Sequence, residues 1–155
     1  MRTPLSLKGR ALRHLAAREH SRAELERKLA PHAAEPGELA RVLDELQGKG
    51  FIDERRVAES VLHRRAPRLG AARVRQELQA KGLDPELVRD AVEQLRETEL
   101  ARAREVWRRR FGQLPADATE RARQARFLAA RGFAGETIGR VLGGPDDDDG
   151  PGDPD

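Results

Sequence analysis

The stretch KGLDPELVRDAV, residues 81–92, returns fifty residues later as RGFAGETIGRVL, residues 131–142. Each sets a basic residue, a glycine and a large apolar residue before a short amphipathic run. The correspondence extends well beyond this phrase. At an offset of 49, Leu25, Leu29, Leu39, Val42, Leu43 and Leu46 fall on Val74, Leu78, Val88, Ala91, Val92 and Leu95. At an offset of 50, Leu78, Gly82, Leu83, Val88, Ala91 and Val92 fall on Leu128, Gly132, Phe133, Ile138, Val141 and Leu142. The helix breaks keep step with the apolar positions. KGF at 49–51 is a look-alike only, because it follows the third helix of its set rather than the second. Such a period predicts tandem units of about 50 residues, each too small to bury much alone and each leaning on its neighbour.

Local signals divide each unit into three helices. Ala11, Leu12, Leu15 and Ala16 form the first apolar stripe. Ser21 and Glu24 form a capping box ahead of Leu25 and Leu29, and Pro31 stops that helix. Leu39, Val42, Leu43 and Leu46 line the next, which Gly50 ends as a C′ residue. Asp53 caps a helix striped by Val57, Ala58, Val61 and Leu62, and APRLG breaks it. Val74 and Leu78 mark the next, ended by Gly82. Asp84 caps another, with Pro85 at N1. The third set starts near Glu99, carries Ala103, Val106, Trp107 and Phe111, and pauses at GQLPAD. It resumes as ATERARQARFLAARG and closes with ETIGRVL. The expected fold is all-α: three-helix repeats over 1–52, 53–97 and 98–142 in an elongated, curved body. Residues 143–155, GGPDDDDGPGDPD, read as a disordered acidic tail.

The composition agrees. Aromatics are few, namely Phe51, Trp107, Phe111, Phe127 and Phe133, while Ala, Leu, Arg, Glu and Gln dominate. Without cysteine there is no disulfide or thiolate chemistry, which suits a reducing cytoplasm. No apolar run is long enough for a signal peptide or a membrane span. His14, His20, His32 and His63 form no HxxxH or HExxH pattern, so no metal site is expected, and His20 beside the Ser21 cap reads as structural. Neither a phosphate-cradling glycine loop nor a nucleophile elbow is present. The DDDD run at 146–149 would hold a divalent ion only weakly. No catalytic residue and no cofactor is expected.

What remains is charge. The net charge of +3 conceals a split, because the tail carries six Asp and no basic residue. Residues 54–75 hold seven Arg against two acids, and residues 101–131 hold nine Arg against Glu105, Asp117 and Glu120. The sharpest cluster is WRRRF at 107–111. Arginine outnumbers lysine 26 to 4. Two sources stay open: codon usage that favours Arg, Ala and Gly, and an anionic partner that suits the guanidinium fork. Single-strand binding by stacking is disfavoured, since the few aromatics fall mostly at inward-facing positions. Major-groove reading is disfavoured too, since the chain has no Asn and its short helices show no reading face. The six tail carboxylates are expected to compete with DNA for their own basic body, so that deleting residues 143–155 tightens non-specific DNA binding at low salt.

Four stretches together resemble the RecX family of bacterial recombinase regulators: LAAREHSRAELERKL (15–29), GKGFIDERRVAES (48–60), RLGAARVRQELQAKGLDPELV (68–88) and RARQARFLAARGFAGETIGRVL (121–142). The family often has two acids after GFID or GYLD; here Asp53 is followed by Glu54. The acidic tail lies outside the resemblance. The resemblance implies a non-enzymatic regulator, a monomer, that binds the RecA–single-stranded-DNA filament along its helical groove. There it modulates the filament, the usual outcome being inhibition of ATPase, strand exchange and coprotease activity or filament disassembly, with any contact to the strand weak or indirect. Charge clustering and the family's basic groove-facing surface nominate Arg18 and Arg22 in the first unit. They nominate Arg64, Arg65, Arg68, Arg73, Arg75 and Lys81 in the second, and Arg108, Arg109, Arg110 and Arg131 in the third. The alternative readings are a basic, helix-turn-helix-like nucleic-acid-binding regulator with no recombinase partner, and a helical scaffold for some other acidic protein.

Overall fold

The computed structural model describes residues 4–143; the acidic tail lies outside the described residues apart from Gly143. Eight α-helices and no strand occur among them: α1 (Leu7–Ala17), α2 (Arg22–Leu29), α3 (Glu38–Gly48), α4 (Glu54–Arg65), α5 (Ala71–Ala80), α6 (Pro85–Arg110), α7 (Ala118–Ala130) and α8 (Gly135–Gly143). The chain is all-α, as the periodicity predicts. It divides into two compact units. One takes the described residues up to His63 together with Glu77–Arg89. The other takes Arg64–Gln76 and the described residues from Asp90 onward.

The anticipated caps are in place. The Ser21 hydroxyl accepts from Glu24 N–H, and the Glu24 carboxylate accepts from Ser21 N–H. Asp53 accepts from the backbone of Arg55 and Arg56, and Asp84 from that of Glu86. Asp117, read from sequence as part of a loop, also caps: its carboxylate accepts from Glu120 N–H at 2.8 Å. Pro31 and Pro67 do not simply end their helices. Each opens one turn of 3-10 helix, Ala30–His32 and Ala66–Arg68, since the missing N–H falls where no partner is needed.

One helix differs from expectation. The third set does not start a new helix near Glu99. Instead α6 runs unbroken for 26 residues and crosses the position where the second set gives way to the third. EQLRETELARAREV contains neither Gly nor Pro, so nothing in it interrupts the backbone ladder.

In the first unit α1, α2 and α3 pack against one another. They bury Leu7, Ala11, Leu25, Leu29, Leu43, Leu46 and Ile52. In the second unit α7 packs on α8, and Ala103, Leu128, Phe133, Ile138, Val141 and Leu142 form the core. Each fully buried Leu contributes on the order of 2 kcal/mol from removed apolar surface.

The repeated phrase proves to be a joint, made once in each unit. In the first, the Ser21 hydroxyl donates to the Lys81 carbonyl at 2.6 Å, and Gly82 faces Ala23. In the second, Gly70 N–H donates to the Arg131 carbonyl at 2.8 Å, and Gly132 faces Arg73. The N-terminus of one set's middle helix thus sits on the basic–glycine turn of the next set. Both turn glycines have positive φ, +69° and +89°. A Cβ on Gly82 would lie 2.7 Å from the Ala23 methyl, so both conformation and space require glycine there.

Candidate partner interface

The second unit carries the densest exposed charge. Arg108, Arg109 and Arg110 end α6. Glu105, one turn earlier, takes a hydrogen bond from Arg108 at 2.5 Å and from Arg109 at 2.9 Å. These two bonds hold the Glu105 carboxyl below its usual range. Both arginines nevertheless stay about three-quarters exposed, 70% and 80%. At that exposure the pairs are worth little and leave the guanidinium edges available.

Arg110 is held differently. Phe111 and Phe127 meet edge to face, ring centroids 5.4 Å apart at 85°. The Arg110 guanidinium lies 5.5 Å from the Phe111 centroid and 5.6 Å from that of Phe127. Arg123 covers Phe111 at 5.3 Å, and Arg131 covers Phe127 at 4.9 Å. Two rings therefore seat three guanidiniums by cation–π attraction. Arg123 also pairs with Glu120 at 2.7 Å, whereas no carboxylate pairs with Arg110 or Arg131 among the described residues. The platform is braced from below. Trp107 donates its indole N–H to Gln124, and the Gln124 amide donates to the Gln113 carbonyl.

The aromatics sit mostly inward, as expected: Phe133 is buried, and Trp107 and Phe127 pack against the core from half-buried positions. Phe111 is half-buried beside Phe127, and Phe51 is 48% exposed. Arg123 belongs to this platform, and the sequence reading missed it because Glu120 at i−3 makes it look like an ordinary helix-surface pair.

The other nominated residues divide by role. In the first unit, Arg18 (2.7 Å) and Lys81 (3.1 Å) converge on the buried Glu24. Burial pushes Glu24 up, but hydrogen bonds from Arg18, the Ser21 backbone and Lys81 overcome it and lower its pKa to about 2. Arg22 spans three helix positions, bonding Asp44 at 2.6 Å, Gln47 at 2.9 Å and Glu26 at 3.2 Å. The Asp44 bond raises its pKa. These three cations are thus engaged in holding their own unit. In the second unit, Arg73 belongs to the joint and donates to the Ala130 carbonyl. Arg64, Arg65 and Arg68 are exposed around the 3-10 turn, and Arg75 is half-buried on α5. Arg102, which the sequence did not single out, caps carbonyls of Ala66, Leu69 and Leu95. Burial lowers its pKa. Among the described residues no cluster of His, Asp and Glu is placed to hold a metal ion, and no helix is long and apolar enough to cross a membrane.

Comparison with known proteins decides the family. Three family models match in order: the first three-helix domain of RecX over residues 8–46, the second over 53–92 and the third over 97–142. The chain belongs to the RecX family. The regulatory protein RecX of Leptothrix cholodnii is 62% identical over 141 residues, covering 91% of this chain and 90% of that protein. The regulatory protein RecX of Ralstonia nicotianae is 52% identical, covering 94% and 91%. A crystal structure of RecX from Lactobacillus salivarius superposes with a TM-score of 0.74 over 88% of this chain and 92% of that one. Its identity is 18%, so it speaks to the fold alone. With relatives of this closeness named as regulatory proteins, the chain is a regulatory protein of the RecX type.

Proposed function

We propose that this RecX-type protein binds the RecA–single-stranded-DNA filament along its helical groove and inhibits the recombinase's ATPase, strand exchange and coprotease activity. The reading rests on family membership together with one observation: the arginine platform around Phe111 and Phe127. Guanidiniums already seated on aromatic faces lose little further freedom on meeting an anionic surface, and their forks take carboxylates and phosphates bidentately. The three repeats, taken as 1–52, 53–97 and 98–142, would contact successive protomers. Bridging protomers opposes the rearrangements that the ATP cycle needs, and no catalysis by the regulator is required. Of the nominated residues, Arg108, Arg109, Arg110 and Arg131 have the strongest claim as contacts. Arg18, Arg22 and Lys81 have the weakest, because carboxylates of their own unit already hold them.

The deciding experiment titrates the protein into preformed RecA filaments on single-stranded DNA and follows ATP hydrolysis. An unrelated strand-dependent ATPase on the same DNA controls for masking of the strand. Selective loss of RecA turnover is expected, weakened in the triple variant R108A/R109A/R110A. Equal inhibition of both ATPases would favour the second reading, a basic nucleic-acid-binding regulator with no recombinase partner. The partly exposed Phe111, ringed by Arg110 and Arg123, supplies the observation that favours that reading. No inhibition of either enzyme would discard the first.

A further inference from the structure

The first unit holds a second concentration of positive charge, unrelated to the platform. A cavity of about 440 Å³ opens between α1, α2 and the 3-10 turn that follows α2. Arg10, Arg13 and His14 line one wall from a single face of α1, at i, i+3 and i+4. Lys28 and His32, again at i and i+4, line the other, and buried Leu29 lies between them. Among the described residues no carboxylate lines it. Several other cations of this unit are paired: Arg18 and Lys81 with Glu24, Arg22 with Asp44, Lys8 with Glu45, Arg56 with Glu19. In the cavity Arg10, Arg13 and Lys28 converge with no counter-ion among the described residues.

The lysine wall is anchored in position. His20 is 2% exposed, and its Nδ1 lies 3.0 Å from the Arg18 carbonyl. A carbonyl only accepts, so Nδ1 carries the proton. The other nitrogen, Nε2, is then a lone pair and accepts from Lys28 Nζ at 3.0 Å. His20 therefore serves as a neutral bracket for Lys28, which keeps two further N–H donors. The His14 ring packs 5.5 Å from that of His20. Burial, then Lys28, Arg18, Arg13 and His32, lower the His14 pKa. Glu24, the carboxylate that acts on His20, is committed to Arg18 and Lys81.

We propose that this cavity is a binding site for a phosphate group, gripped by Arg10 and Arg13 from α1 and by Lys28 and His32 from the opposite wall. The donors converge from two sides. A tetrahedral dianion offers oxygens in both directions, whereas a planar carboxylate satisfies one wall and leaves the other unpaired. The volume falls within the range of small-ligand pockets. A dianion also reverses the electrostatics at His14, which gains a proton as the anion enters, so binding strengthens as pH falls.

The histidines report directly, because the chain has only four. Their ring signals are followed by NMR while phosphate replaces chloride at fixed ionic strength. His63, exposed on α4 and outside the cavity, is the internal control. Saturable movement of His14 and His32 is expected, with His63 still. The double variant R10A/R13A, at one half-buried and one exposed position, should weaken the response about tenfold, and Lys28→Gln should weaken it by a similar factor. Sulfate, whose charge is constant over this range, should bind more tightly at pH 6 than at pH 8. The source of the phosphate is read by adding an oligo-dT strand. Displacement of phosphate assigns the site to a nucleic-acid backbone, and no displacement assigns it to a free or monoester phosphate. If His14 and His32 move no more than His63, or if all variants titrate like the wild type, there is no such site.

Discussion

Ser21 and Lys81 lie sixty residues apart, yet the Ser21 hydroxyl donates to the Lys81 carbonyl at 2.6 Å while accepting from Glu24 N–H. One hydroxyl closes a helix terminus and ties two repeats together. Ser21→Ala removes both bonds and strands a carbonyl in a half-buried setting. A loss of about 1–2 kcal/mol is expected, read as a lower urea midpoint with an unchanged slope.

Glycine substitutions separate conformation from close approach. Gly37 and Gly132 share nearly the same positive φ, +82° and +89°, but a Cβ on Gly37 meets nothing within 4 Å whereas one on Gly132 runs into Arg73. Gly37→Ala should cost about 1 kcal/mol, the price of the left-handed conformation alone. Gly132→Ala should cost at least twice that, because backbone must shift. Thermal unfolding of the two variants side by side measures the difference. Equal costs would mean that the joint is loose.

The Glu24 carboxylate makes stability depend on acid. Its pKa is about 2 in the fold, against an ordinary value of 4.5. A carboxylate with a depressed pKa contributes stability that is fully present above about pH 4.5 and is lost as pH falls toward 2. The contribution is on the order of 2 kcal/mol after solvent screening. Glu24→Gln should flatten that part of the stability–pH curve and should destabilise the protein at neutral pH. Urea melts from pH 2.5 to 7 test both.

The platform predicts unequal arginines. Arg110 and Arg131 are seated on rings and have no acidic partner among the described residues, whereas Arg108 and Arg109 share Glu105. The pair R110A/R131A should weaken polyanion binding several-fold more than R18A/R22A, although both remove two charges. Fluorescence anisotropy of an oligo-dT strand at two salt concentrations distinguishes them. Equal losses would reduce the platform to bulk charge.

The sequence revealed most of the fold through physics that acts over a few residues. Ser21, Asp53 and Asp84 announce helix starts because capping is a local hydrogen bond. Gly82 and Gly132 announce stops because a positive φ is a local demand. The continuity of α6 was legible in the absence of Gly and Pro between Glu93 and Arg110, but the repeat boundary suggested a break there. The site was harder to read. Arg18 and Lys81 look like free cations in a string of letters, since the acid that engages them, Glu24, is brought to them by packing; for Arg22 only the i,i+4 partner Glu26 is legible, while Asp44 is set by tertiary packing. The same blindness hides Arg102, whose acceptors, apart from the Thr98 hydroxyl, are main-chain carbonyls that leave no trace in sequence. Phe111 and Phe127 occupy core-like spacing and are partly buried as that spacing suggests, but nothing in it shows the three guanidiniums that gather around them.

The unbroken α6 acts as a ruler with one tolerance. Leu95, Glu99, Ala103 and Trp107 sit at intervals of four along it: Leu95 and Ala103 are buried, Glu99 accepts from Ala71 N–H and the Thr137 hydroxyl, and Trp107 donates to Gln124. Adding or deleting one residue between Leu95 and Trp107 turns everything beyond it by about 100° and shifts it by about 1.5 Å. Trp107 would lose Gln124, and Arg110 would leave its rings. Point substitutions on the exposed side of α6 are cheap, but its length is not free to vary. Insertions and deletions among relatives should therefore collect in the GQLPAD loop and in the acidic tail, and should avoid this helix.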